Sequence, residues 1–270
     1  MKMLKIKVVQ PPYFAGEEPD EKIAGFLLEE LEKTEENSLV LLPEYSNAGG
    51  ISDAEAELRA LPRAKLMLER ASSVAKEKRA WVAVNVLEER EGKIKNSTYL
   101  FDKTGDAVFV YDKIHLPPSE VALGVERGDG VCVCEAGGIR FGFLTCYDVY
   151  FNEQIEYLAM NKPDIILLPG YQRGESSDIL RAQTKLIAFR CNCFVAKASY
   201  SMASEEKGGC SMIVSPEGKI LCDMGAKIGS ACAEVEPKHK YMRPAGFGGG
   251  LIRNDDFINN GLCPGAFSER

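Results

Sequence analysis

Two short runs, Leu39-Val-Leu-Leu-Pro43 and Ile165-Ile-Leu-Leu-Pro169, are near copies placed 126 residues apart. Each is too short for a helix and too continuously apolar for a strand with one wet face. Each therefore reads as a strand covered on both sides. Their surroundings repeat as well. Before the first copy come a strand over Lys5–Val9 and a helix over Pro19–Thr34, with Ile23, Leu27 and Leu31 at helical spacing. After it come a helix over Leu61–Lys78, a strand over Trp81–Leu87, and a hairpin of Thr98–Phe101 with Val108–Tyr111. The helix shows Ala64, Met67, Leu68, Ala71, Val74 and Ala75 on one face. The second copy sits in the same order: strand Ile139–Thr145, helix Asn152–Met160, the copy itself over Ile165–Leu168, then helix Asp178–Arg190 with Ile179, Ala182, Leu186 and Phe189 on one face. Strand Phe194–Ala198 and a hairpin of Ser211–Val214 with Lys219–Cys222 close it. The hairpin glycines, Gly105 and Gly218, are 113 apart, so the first half is longer in its middle.

A chain that repeats strands and helices in this way predicts an α/β fold in which two sheets pack face to face with helices outside. The expectation is one domain over 1–270 with internal pseudo-twofold symmetry, a core over about 3–236, and a C-terminal tail over 237–270. The tail loses periodicity and carries Pro244, Pro264 and a glycine run, Gly246 and Gly248 to Gly250. No strand leads into that run and no Gly-Lys-Ser/Thr follows, so it is not a phosphate loop. The tail either wraps over another subunit or is partly ordered.

Charge excludes several partners. Forty acidic residues against 33 basic ones leave a formal charge of −7, with no lysine-rich run. Nucleic acid and anionic membranes need basic patches, so neither is expected. No apolar stretch is long enough to span a bilayer, and Met1–Val9 lacks the apolar core of a secretion signal. A cytoplasmic location is expected. The nine cysteines, among them Cys193, Cys210 and Cys222 in apolar runs, read as buried reduced thiols. Cys132/Cys134 and Cys191/Cys193 are separated by one residue, short of zinc-site spacing. With two histidines in the chain, no metal and no cofactor is expected. His239 lies in a polar stretch and reads as a surface residue, which leaves His115 to be accounted for.

Three strand ends run into a reactive side chain: Leu42-Pro-Glu44-Tyr-Ser-Asn-Ala-Gly, Tyr111-Asp-Lys113-Ile-His-Leu and Thr145-Cys146-Tyr-Asp-Val-Tyr-Phe. Singly, a Glu or Lys in a turn is solvated and a Cys at a strand end is packing. Together they form a working set. Cys146 is a nucleophile that needs a base. Glu44 serves as that base if burial raises its pKa. Lys113 and the backbone N–H of Tyr147 stabilise the negative charge that attack on a carbonyl or nitrile builds. No histidine is required.

These motifs, in this order and 69 and 33 residues apart, resemble the nitrilase-like carbon–nitrogen hydrolases over roughly Met3–Glu236. The resemblance implies a four-layer αββα sandwich and a Glu-Lys-Cys catalytic set acting through a cysteine thioester. It also implies a second glutamate after the Lys motif, with Glu120 the best positional match and Glu126 its competitor, and a structural role for His115. Cys146-Tyr-Asp is closer to the amidase-like branches than to nitrilases, which more often carry Cys-Trp-Glu. The function implied is hydrolysis of a small linear amide or N-carbamoyl compound. An aliphatic nitrilase, a metabolite-binding protein without turnover and a cysteine redox sensor are the alternatives. Family members pair subunits, so a homodimer or higher homo-oligomer is expected through Asn152–Met160 and Asp178–Arg190. Some positions depart from the family pattern. Tyr150 and Asn152 replace an Arg and a Pro, Tyr171-Gln-Arg173 replaces a Trp or Asn, and Arg190 puts a base where an acid is common. Tyr45, Tyr147, Tyr150 and Tyr171 are candidate pocket residues. Arg173 is read as solvated, with a substrate carboxylate as its alternative partner.

Overall fold

The computed structural model describes residues 3–13, 19–51 and 53–263; Met1 of the run weighed as a secretion signal and Pro264 with the rest of the tail lie outside the described residues. In chain order the elements are β1 (Leu4–Gln10), α1 (Pro19–Glu32), β2 (Leu39–Leu41), α2 (Ala54–Ala60), α3 (Arg63–Lys78), β3 (Trp81–Arg90), β4 (Lys93–Phe101) and β5 (Ala107–Asp112). There follow α4 (Pro118–Leu123), β6 (Val133–Ala136), β7 (Ile139–Phe143), a 3-10 turn over Cys146–Tyr150, α5 (Asn152–Asn161), β8 (Ile165–Pro169), α6 (Ser177–Cys191) and β9 (Phe194–Ala198). The chain ends with β10 (Met212–Val214), β11 (Ile220–Asp223), β12 (Gly229–Val235), β13 (Met242–Pro244), β14 (Leu251–Arg253) and α7 (Asn254–Asn259).

Two six-stranded sheets form, in the orders β12-β1-β2-β3-β4-β5 and β11-β10-β9-β8-β7-β6. The duplication is visible in the pairing. β1, β2 and β3 are parallel neighbours in one sheet, as β7, β8 and β9 are in the other. The strand that follows each half joins the other half's sheet: β6 pairs antiparallel with β7, and β12 returns to pair antiparallel with β1.

The doubly covered strands explain the continuous apolar runs. In β2, Leu39 and Leu41 face the space between the sheets, with Ile6, Phe141 and Phe143. Val40 and the following Leu42 face α1 and α3, against Ile23, Leu27, Met67 and Val74. Alternate side chains of one strand thus serve two layers. With α5 and α6 covering the second sheet, the layers are α, β, β and α.

One helix face differs from its reading in the sequence. Ile179 and Leu186 of α6 are 51% and 67% exposed. The buried stripe is instead Ser177, Leu180, Thr184, Ile187, Ala188 and Cys191. The helix carries two stripes, and its core stripe is the less apolar one. The described part of the tail, 237–263, carries regular elements that its lack of period does not suggest. α7 packs on α5 and α6, where Asn254 Nδ2 donates to the Phe189 carbonyl and Asn192 Nδ2 to Asp255. Arg190, the basic replacement noted in the sequence, pairs with Glu156 of α5 and donates to Asn259 of α7. None of the described helices is long and apolar enough to cross a membrane.

Candidate active site

The three reactive strand ends meet. Glu44 follows β2, Lys113 follows β5, Cys146 follows β7, and Glu120 lies on the short helix α4. All four line one cavity of about 730 Å³, together with Tyr45, Tyr147, Tyr150 and Tyr171. Glu126 is exposed on the surface, paired with Lys93.

At the floor, the Lys113 ammonium donates to Glu44 Oε1 at 2.8 Å and to Glu120 Oε1 at 2.9 Å. The Asn96 amide donates to the same two oxygens, at 2.8 and 2.9 Å. Asn85 Nδ2 in turn donates to Asn96 Oδ1, which fixes the amide's orientation. Tyr45 donates its hydroxyl to Glu120 Oε1 at 2.6 Å. The other Glu120 oxygen is buried with no partner among the described residues. The half-buried Cys146 thiol lines the same cavity as the Glu44 carboxylate, whose charge acts on it.

Burial sets the electrostatics. Desolvation raises Glu44, against the opposing charge of Lys113 and with the help of Glu120. Desolvation and the Glu44 charge push the Cys146 thiol well above its ordinary value. The resting sulfur is therefore a thiol with a carboxylate beside it. Burial alone would lower Lys113, but the Glu44 and Glu120 carboxylates reverse it and hold the ammonium protonated.

Cys146 sits on a strained turn. Cys146 has φ 47°, a conformation that costs on the order of 1 kcal/mol for a side chain with a Cβ. Thr145 and Asp148 hold it by a reciprocal capping box. Asp148 is wholly buried and also accepts from the Tyr111 hydroxyl and from the His115 N–H. His115 stacks on Phe151 and bonds Asp148, Gln154 and Glu153. It ties the Lys113 strand end to the Cys146 turn and does not line the cavity. His239 is on the surface, bonded to Glu217.

The duplication passes through the site. Pro43-Glu44-Tyr45 and Pro169-Gly170-Tyr171 occupy equivalent strand ends, and the two tyrosine rings meet edge to face with centroids 5.9 Å apart. One half keeps the glutamate and the other a glycine. Behind Glu44, Tyr200 donates its hydroxyl to the Glu44 carbonyl at 2.6 Å. Asn96, Asn85 and Tyr200 carry no motif. The trace of Asn85 in the sequence is a polar residue inside an apolar run; Asn96 lies in a polar stretch, Lys93 to Thr98, and leaves none.

A sequence model of the carbon–nitrogen hydrolases matches residues 9–238. The chain belongs to the carbon–nitrogen hydrolase family. Among curated relatives, this carbon–nitrogen hydrolase is 27% identical to the 2-oxoglutaramate amidase of Bacillus subtilis, over 57% of this chain and 61% of that one. The first curated relatives are matched over 48% to 61% of their own length. Among solved structures, a carbon–nitrogen hydrolase from Helicobacter pylori G27 superposes with a TM-score of 0.73 at 18% identity, covering 88% of this chain and 90% of that one. An amidase of the nitrilase superfamily from Nesterenkonia superposes with a TM-score of 0.70 at 18% identity, over 87% and 91%. The αββα sandwich of this hydrolase is that of the nitrilase superfamily.

Proposed function

We propose that this chain is an amidase that cleaves a small linear amide or N-carbamoyl compound through a thioester on Cys146. One observation carries the reading: a half-buried thiol beside a carboxylate, which is itself clamped by a buried ammonium, all facing one cavity. Glu44 takes the thiol proton as sulfur attacks the carbonyl carbon. A standing thiolate is not needed, which suits a thiol whose pKa is raised. The tetrahedral oxyanion is held by the Lys113 ammonium and the Tyr147 N–H; one such donor is worth about 100-fold or more in rate. Glu44 returns the proton to the leaving nitrogen, and ammonia or an amine departs. Water then attacks the thioester, with Glu44 again the base and the unpartnered Glu120 oxygen orienting the water. The acid leaves and Cys146 regains its proton. A mutant of the Nesterenkonia amidase, which has this fold, shows the result of Michael addition of acrylamide at its active-site cysteine.

The test is ammonia release by wild type and Cys146→Ala over small ω-amides, N-carbamoyl amines, N-carbamoyl amino acids and aliphatic nitriles. Release confined to wild type and to amides or carbamoyl compounds is expected. Release by Cys146→Ala removes the thioester route, and release from nitriles alone makes the chain a nitrilase. We also propose that subunits pair through α5 and α6, where Tyr157, Met160, Ile179 and Leu186 are exposed. A monomer by light scattering refutes that pairing.

A further inference from the structure

The catalytic cluster uses only the floor of the cavity. Its mouth holds three more charged groups: Glu57 on α2, Arg173 after β8, and Glu175. Glu175 is already engaged, accepting from the Tyr150 hydroxyl and the Gly174 N–H. Glu57 is different. Its side chain is partly buried and its carboxylate has no hydrogen bond or ion pair among the described residues; its neighbour Arg59 pairs with Glu55 instead. Burial, followed by the charge of Glu120, raises its pKa to about 6. A carboxylate removed from water without a partner is an expensive arrangement for a fold to keep.

Arg173 is exposed, as its solvated reading expects, yet it is held against two rings. Its guanidinium lies 4.6 Å over the Tyr171 ring and 5.8 Å from the Tyr13 ring, and Nη1 donates to the Tyr13 hydroxyl at 3.2 Å. It has no carboxylate partner among the described residues. Its charge acts on Glu57, yet the two groups form no ion pair. The mouth therefore presents a separated anion and cation to the same void.

We propose that this mouth is a subsite for the α-amino acid end of a zwitterionic ω-amide: Glu57 takes the ammonium, Arg173 the carboxylate, and the amide reaches Cys146. The proposal rests on the amidase reading above. A substrate with a carboxylate alone leaves Glu57 an unpaired anion facing it. A substrate with an ammonium alone meets the uncompensated charge of Arg173. A zwitterion answers both groups, and Arg173 then has the carboxylate role that the sequence left as its second reading.

Four ω-amides of matched length separate these cases: glutamine (both charges), 4-aminobutanamide (ammonium), glutaric acid monoamide (carboxylate) and butanamide (neutral). Asparagine tests a chain one methylene shorter. Two readouts are needed: binding to Cys146→Ala by calorimetry, and kcat/KM of the active chain. Cys146→Ala is expected to bind glutamine or asparagine at least about tenfold more tightly than the singly charged and neutral amides, the worth of one charge-assisted hydrogen bond. Glu57→Gln lowers the kcat/KM ratio of the zwitterion to butanamide at least about tenfold and shifts preference toward the monoamide acid. Arg173→Gln lowers the same ratio and shifts preference toward 4-aminobutanamide. Preference of the parent for the monoamide acid, or ratios unmoved by both substitutions, overturns the subsite. Turnover of butanamide without preference for a zwitterion sinks the subsite and leaves the amidase. Selective binding of the zwitterion with no turnover of any amide sinks the amidase and leaves the subsite.

Discussion

Asp148→Asn tests whether the nucleophile turn and the lysine strand end are held by one buried charge. Asp148 Oδ1 accepts from the His115 N–H and meets His115 Nδ1, both at 3.0 Å. Oδ2 accepts from the Tyr111 hydroxyl at 2.6 Å and the Thr145 N–H at 2.8 Å. Asparagine keeps the shape but turns one acceptor into a donor. The mildest outcome places the NH2 toward His115, whose Nδ1 then accepts, and leaves the His115 N–H without a partner. That orphan costs about 1–3 kcal/mol, and the remaining bonds lose their charge assistance, about 1 kcal/mol more. A total of about 2–4 kcal/mol lowers the melting temperature by roughly 5–12 °C in a chain of this size. Scanning calorimetry, with circular dichroism to confirm the native state at the start, measures it. The substitution also leaves a signature in pH. The His115 pKa is raised, chiefly by its bond to Asp148. A raised imidazole stabilises the fold fully below its unfolded value, about 6.5, and the gain is lost as pH rises through the folded value. Asp148→Asn flattens that decline. A melting shift under about 2 °C, or an unchanged pH slope, refutes the reasoning.

Three other outcomes are expected. A Cβ on Gly49 would lie 2.6 Å from the Tyr200 hydroxyl, so Gly49→Ala costs about 1–3 kcal/mol and lowers kcat by displacing the support of Glu44. Gly49→Ala with Tyr200→Phe loses less than the two single losses combined, as a double-mutant cycle in urea shows, because the nearest clashing atom is gone, although ring carbons at 2.9 and 3.0 Å remain. Lys197 is wholly buried, with the Gly209 carbonyl as acceptor at 3.2 Å, and burial lowers its pKa to about 8. Between that value and the unfolded value of about 10.4, stability rises with pH, and Lys197→Met flattens the rise in a set of urea melts. Glu57 loses its proton as pH rises through about 6, so KM for 4-aminobutanamide falls between pH 5 and 7 relative to KM for butanamide; parallel pH profiles count against it.

Much of the frame could be read before the coordinates, because burial on two faces leaves a plain mark. Leu39–Leu42 and Ile165–Leu168 are apolar throughout since each feeds two layers. Glu44, Lys113 and Cys146 stood out as reactive groups at the ends of such runs. The elements not foreseen lack that mark. α4 is six residues long, too short for a period. β12 is an edge strand, Gly-Ser-Ala-Cys-Ala-Glu-Val, whose small side chains give no contrast between faces. α6 misled because its exposed stripe is greasier than its core stripe, which uses Ser177, Thr184 and Cys191. Within the site, Asn96 and Tyr200 act on Glu44 from 52 and 156 residues away in sequence. Such partners are created by sheet pairing, and no local pattern encodes them.

The exchange of strands between the halves has a bearing on how this chain is made. β1 emerges from the ribosome more than 200 residues before its outer neighbour β12, with Leu4 opposite Val235. Throughout most of synthesis one side of β1 offers an unsatisfied row of N–H and C=O groups to any passing strand. The β6–β7 pair is the opposite case, joined within a few residues of being made. The second sheet can therefore mature on the nascent chain while the first stays open. The arrival of β12 covers the edge of β1, and a polypeptide released before residue 229 leaves β1 itself as the raw edge of its sheet.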